Sequence, residues 1–149
     1  MAKALRIRGW VRAEHWRGGK LLGVREGPNI VVDNGKNLIA LRLNDDGTAP
    51  GWMATGDDGT IPGAGDSDLQ GSEHDRQAFS PVASISGNEI TYQRTFTAGG
   101  TISVAEIGIF NNAAAGPASG TMLARWLAAP AVDMVLNDTL AVTWVLTMG

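Results

Sequence analysis

Between Gly51 and Arg76 the chain reads GWMATGDDGTIPGAGDSDLQGSEHDR, with six carboxylates, one imidazole and six glycines. Side chains of these types on one stretch suggest a hard-cation site, a phosphate cradle or a hydrolytic centre; otherwise the charges serve only to keep a connection solvated. A calcium loop of the EF-hand kind needs oxygen ligands at alternate positions, a central glycine and a closing glutamate. Asp57-Asp58-Gly59 instead runs straight into Thr60-Ile61-Pro62, so the spacing fails. Asp66, Asp68 and Glu73 would share a cation only if the stretch folded back on itself. A phosphate cradle wants a cation close behind its glycines, and residues 43–75 contain no Lys or Arg. Ser72, His74 and Asp75 have the residue types of a hydrolytic triad, but near neighbours along a chain cannot all converge on one reacting atom. Neither G-x-S-x-G nor H-E-x-x-H occurs. No enzymatic activity, cofactor or metal is expected, and residues 51–76 read as an acidic, Gly-rich polar connection between strands.

A second group lies near the start. Arg6, Arg8, Arg12, Arg17, Lys20 and Arg25 are interleaved with Trp10 and Trp16. Arginines with aromatics suit a phosphate backbone and stacked bases, or equally the anchor of a protein interface. Arg6, Arg8 and Arg12 share one strand face, as solvated residues do, and a protein partner is expected rather than nucleic acid. Arg6, Arg8, Trp10, Arg12, Trp16 and Arg17 are the expected interface residues. The wider balance is uneven: residues 1–42 carry nine Lys/Arg against three Asp/Glu, and residues 43–75 carry eight Asp/Glu. Such asymmetry fits docking onto a charged surface or head-to-tail self-association, or two segments that neutralise each other within one fold. Glu106 is the other anomaly, a carboxylate interrupting the apolar run SVAEIGIF. Burying it requires a partner, and Arg94 or Arg125 on a neighbouring strand would serve, fixing register rather than doing chemistry.

The elements that must position these groups are mostly strands. In TLAVTWVLTMG, Leu140, Val142, Trp144, Leu146 and Met148 alternate with Ala141, Thr143, Val145 and Thr147, the period of a strand with one buried face. NEITYQRTFTA alternates likewise, with Ile90, Tyr92, Arg94 and Phe96 on one side, and Ser86-Gly87-Asn88 before it marks a hairpin turn. TISVAEIGIFNN and TMLARWLAAPAV read as further strands, separated by the loop AAAGPASG. The segment ALRIRGWVRAEHWRGGKLLGVREG reads as two strands about the turn Arg17-Gly18-Gly19-Lys20, and NIVV as a short strand. DNGKNLIALRLND, with a polar start and Leu38, Ile39, Leu41 and Leu43, suits one short helix.

With 149 residues, 44% of them hydrophobic, and no linker or repeat, the chain fits one domain able to bury its own core. Twenty glycines favour many turns, and the absence of cysteine excludes disulfides, thiolate metal sites and thiol nucleophiles. No apolar run is long enough for a spanning helix or a signal peptide's core, so a cytosolic origin is expected and no membrane partner. The expected fold is all-β over residues 1–149: an antiparallel β-sandwich or jelly-roll-like barrel with at most one short helix. Its basic part would be residues 1–42 and its acidic loop residues 51–76.

The strand motifs also carry a resemblance. Glu106-Ile107-Gly108-Ile109-Phe110 after a threonine-rich strand, then Met122-Leu123-Ala124-Arg125, then Asp138 to Trp144, is similar to a module of tailed-bacteriophage virion proteins. The stretch WRGGKLL…EGPNIVVDNGKNLIAL is similar to the N-terminal part of such proteins. Among them the chain most resembles capsid decoration, or cement, proteins. The resemblance implies a homo-oligomeric structural protein that stabilises the head by bridging major capsid subunits, assembled in the host cytoplasm and resident in the virion. The alternative it implies is a tail-fibre, collar or baseplate adaptor. A carbohydrate-binding sandwich is a rival that would need exposed aromatics on one face.

Overall fold

The computed structural model describes residues 4–114 and 120–149. Most of the expected loop AAAGPASG (residues 115–119) and the first three residues lie outside that range. Among the described residues ten strands and one helix follow in order: β1 (Ile7–Arg17), β2 (Lys20–Pro28), β3 (Ile30–Val31), α1 (Asp33–Leu43), β4 (Trp52–Gly56), β5 (Glu73–Ala78), β6 (Ser84–Ser86), β7 (Glu89–Thr97), β8 (Ile102–Phe110), β9 (Met122–Met134) and β10 (Thr139–Met148). They form two five-stranded antiparallel sheets, ordered β2-β1-β10-β7-β6 and β3-β9-β8-β4-β5. The fold is the all-β sandwich expected, with its one short helix.

Alternation builds the space between the sheets. Val11 and Ala13 from β1, Tyr92 and Phe96 from β7, and Leu140, Val142, Trp144 and Leu146 from β10 turn inward from the first sheet. Met53, Ile107, Ile109, Leu123 and Trp126 meet them from the second. Trp144 is wholly buried, and its indole N–H donates to Asn29 Oδ1 at 3.1 Å. Asn29 reaches it because Gly9 has no side chain; a Cβ there would occupy the site of the amide oxygen. The packed rings of Phe79 and Tyr92, 4.7 Å apart, close the core near β5.

The second sheet has a second buried face. Gly108 and Arg125 are register partners, as are Ile107 and Trp126, so alternation places Glu106, Gly108, Phe110 and Arg125 on the side away from the first sheet. Phe110, Met122, Ala54, Val32 and Leu69 pack there as a smaller cluster. Leu69 comes from the β4–β5 connection, residues 57–72, which lies over this face as a third layer. The segment Gly51–Arg76 is therefore not one connection, because its two ends are strands. Met53, Ala54 and Thr55 are all buried, so β4 is covered on both faces and shows no apolar–polar period of two. Glu-His-Asp-Arg-Gln-Ala, in β5, is a polar sheet edge without an apolar face.

Helix α1 starts where this third layer touches it: Asp33 N–H donates to Ala64 O at 2.8 Å, satisfying one of the helix's free amides. Asp33 in the first turn and Arg42 in the last both suit the helix dipole. The helix packs on β9.

Tyr92 is the only tyrosine. Burial pushes its phenol up to about 12. Because the unfolded value is about 10, the neutral phenol's contribution to stability is complete below that pH and is lost as pH rises toward the folded value. An ultraviolet titration should show no phenolate in the native protein at pH about 10, where urea-unfolded protein is half ionised. Half-ionisation of the native protein near pH 10 would contradict this packing.

Candidate functional site

The acidic connection is organised from below. Glu106 and Arg125, on adjacent strands β8 and β9, are both fully buried, with Arg125 Nε donating to Glu106 Oε1 at 3.0 Å. Of the two partners expected for Glu106, Arg125 is the one used. Arg94 instead turns inward from β7 and donates to Ala78 O at 3.3 Å. Glu106 Oε1 also accepts the N–H of Gln70 at 2.7 Å, and Oε2 those of Asp58 and Gly71 at 2.9 Å each. Arg125 Nη1 donates to Thr60 O at 2.9 Å and Asp66 Oδ2 at 3.3 Å, and Nη2 to Asp58 O at 3.4 Å. Both ends of the connection are thus tied to one buried ion pair. Gly56 faces Glu106 across the β4–β8 ladder and must be glycine: a Cβ there would lie 2.9 Å from Glu106 Oε2.

The remaining carboxylates accept main-chain amides of the same segment. Asp57 takes Ser72 N–H at 2.7 Å, Asp58 takes Thr60 at 2.6 Å, Asp66 takes Gly63 at 3.0 Å and Asp68 takes Leu69 at 2.8 Å. The hydrogen bond from Thr60, together with Arg125, holds the Asp58 carboxyl below its ordinary value. Asp66, Asp68 and Glu73 are not gathered: Asp66 faces Arg125, Asp68 binds its neighbour's amide, and Glu73 pairs with Arg76 at 2.7 Å. Arg76, nearly buried, stacks 3.8 Å from the Phe110 ring centroid. Ser72, His74 and Asp75 also part company. Ser72 N–H goes to Asp57, His74 Nε2 lies 3.0 Å from Ser103 O, and Asp75 accepts from Gln77 at 2.9 Å.

A second charged centre joins the β1–β2 hairpin to the β9–β10 turn. The buried Asp138 carboxylate takes two bonds from Arg17 at 2.8 Å, lies 2.7 Å from His15 Nε2, and accepts Val135 N–H at 3.0 Å. Arg17, with His15 and the Val135 amide assisting, holds the Asp138 carboxyl well below the usual carboxylate range against the opposing effect of desolvation.

The six expected interface residues divide accordingly. Arg17 is bound to Asp138, and Arg12 lies between Glu26 at 3.2 Å and Glu14 at 3.8 Å. Arg6 ties its main chain to Gly149 and is exposed, as is Arg8, while Trp16 is half-buried. Trp10 is 50% exposed, on the outer face of the first sheet between Pro28 and Val145. With Arg8, Glu89 and Thr147 it lines a shallow depression of about 430 Å³. Among the described residues no ion pair joins residues 1–42 to residues 43–75: Arg12 and Lys36 pair within the first segment, His15 and Arg17 with Asp138, and Asp58 and Asp66 with Arg125.

One feature had no single signal in the sequence. At the end of the sandwich beside α1, the sheets part to leave an apolar mouth of about 510 Å³, with Tyr92, Leu123 and Leu146 as lining. Leu5, Leu43 and Ile85 stand at it, 72%, 84% and 76% exposed. Its residues come from five separate stretches, so only the fold assembles it. No family model, no curated protein and no solved structure matches this chain.

Two outcomes test this geometry. Glu106→Gln strands Arg125 in a dry site and should cost about 3–5 kcal/mol in denaturant unfolding, whereas Glu73→Gln at the sheet edge should cost clearly less; equal losses would contradict the central role of Glu106. Asp138, with its depressed value, stabilises the fold above the unfolded value of about 3.9, and that contribution fades as pH falls below it. Asp138→Asn should therefore be less stable at neutral pH and lose less on acidification than the parent; parallel pH profiles would contradict the assignment.

Proposed function

We propose that the protein is a structural component of a bacteriophage virion, decorating the head by bridging major capsid subunits and associating with copies of itself. The observation that supports this reading is a pair of exposed surfaces on one two-sheet slab: Trp10 with Arg8 on an outer sheet face, and the apolar mouth at the adjoining end. Large aromatics and arginines are the side chains that anchor protein interfaces. An exposed apolar patch on an otherwise polar surface marks a contact site more often than a solvated one. The stretches that resemble virion proteins, from Glu106 to Phe110, Met122 to Arg125 and Asp138 to Trp144, fall on β8, β9 and the first half of β10. They supply the ion pair and the Asp138 centre, which suits a module retained for rigidity. Such a protein works by adding contact area across joints under load, and many copies on a lattice make modest contacts sufficient.

Imaging of purified particles with a copy number tests the proposal. Head location with many copies per particle supports decoration; a few copies at a tail or collar position supports the adaptor reading; absence from particles refutes both. Where rebinding to stripped particles can be measured, Trp10→Ala should cost about 2 kcal/mol, a roughly 30-fold weaker Kd, with unchanged unfolding. Unchanged rebinding would remove the sheet face from the interface.

A further inference from the structure

The tetrapeptide Asp-Asp-Gly-Thr occurs twice, at residues 45–48 and 57–60. An Asp-Gly bond can rearrange by itself, because glycine leaves its amide nitrogen open to approach the preceding side chain. Local sequence being identical, any difference in reactivity between the two copies comes from the fold.

The geometries differ. In the first copy, Gly47 N lies 2.7 Å from Asp46 Oδ1, its own neighbour's carboxylate, in an exposed turn with Asp45 at φ 54° and Gly47 at φ 69°. In the second, Asp58 Oδ1 is taken by the N–H of Thr60 at 2.6 Å, one residue beyond the glycine, while Asp58 N–H is held by Glu106. We propose that Asp46–Gly47 is a built-in isoaspartate site of this protein and that Asp58–Gly59 is protected by the Glu106–Arg125 anchor. The hydrogen bond from Gly47 N–H keeps the Asp46 carboxyl beside the nitrogen that must attack it, whereas the Asp58 carboxyl is turned past Gly59 to Thr60; such proximity is the main requirement for an intramolecular reaction.

The step is a condensation followed by hydrolysis. Gly47 N attacks Asp46 Cγ; the new C–N bond forms, the Cγ–OH bond breaks, and water leaves with the amide proton, closing a five-membered succinimide. Water then opens the ring at either carbonyl. Opening at the side-chain carbonyl restores aspartate, and opening at the main-chain carbonyl routes the chain through Cβ as isoaspartate, with no net change in mass. The electrophile is the protonated carboxyl, so the lowered value at Asp58 also opposes reaction there. The third X-Gly candidate, Asn34–Gly35, is held in the first turn of α1, where Gly35 is buried. Rearrangement at Asp46 has a structural consequence, because Arg42 Nη1 donates to Gly47 O at 2.8 Å and to Asp46 O at 3.4 Å. An added main-chain methylene there frees Arg42, which lines the apolar mouth.

The proposal does not rest on the virion reading and is tested on the isolated full-length protein. The native chain is aged at neutral pH and physiological temperature, then probed with isoaspartyl methyltransferase and peptide mapping, beside a sample kept unfolded in urea. Isoaspartate at 46 several-fold above that at 58 in the native sample, with the two converging in urea, is the expected result. Asp46→Glu, whose extra methylene disfavours the five-membered ring, should remove the native signal. Equal accumulation at both sites, excess at 58, or an excess at 46 that persists in urea would overturn it.

Discussion

A carboxylate and a guanidinium wholly removed from water must find partners before the chain around them can settle, and that constraint organises the outer half of this protein. Glu106 and Arg125 are placed side by side by the β8–β9 ladder. Their own pairing satisfies one bond. The remaining bonds go to the main chain of residues 58–71 and to the Asp66 carboxylate. Compared with two well-packed apolar side chains, such a pair is not a large source of net stability. What it fixes is position: loss of either member leaves the other uncompensated, so the layer above is held in one arrangement.

The acidity of residues 57–72 follows from the same need. A segment without ladder partners still carries one N–H per residue to satisfy, and short carboxylates next to glycines are well suited to accept them. Asp57, Asp58, Asp66 and Asp68 each do so within the segment, and Glu106 takes three more amides from beneath. A stretch that looks like a ligand site is therefore a self-satisfied cover for Phe110, Met122 and Ala54. Its polar composition and its structural role are compatible because the carboxylates turn toward its own backbone.

The first sheet was largely legible in the residues. Period-two alternation in β7 and β10 names the inward side chains, and Glu106 inside an apolar run announces a buried pair. The second sheet was less so, for definite reasons. In β4 both faces are buried, which erases alternation, and in β5 neither face is apolar. Arg17 and Arg12 read as free cations because their partners, Asp138 and Glu26, are set by strand pairing rather than by neighbouring sequence. The apolar mouth, drawn from distant stretches, has no sequence pattern at all.

A slab with a pinned outer layer, a solvated sheet face centred on Trp10 and an apolar end is compatible with the bridging role proposed above. Rigidity across both sheets would let a load on one face pass to the other through packed side chains. The most direct test of the pinned layer is residue-resolved amide hydrogen exchange. The account predicts that the amides of Asp58, Gln70 and Gly71 exchange as slowly as those of the β8 ladder, while the amide of Ile61 at the exposed crest exchanges fast. Free exchange at those three amides, alongside a protected β8, would show a loose loop over the second sheet and contradict it.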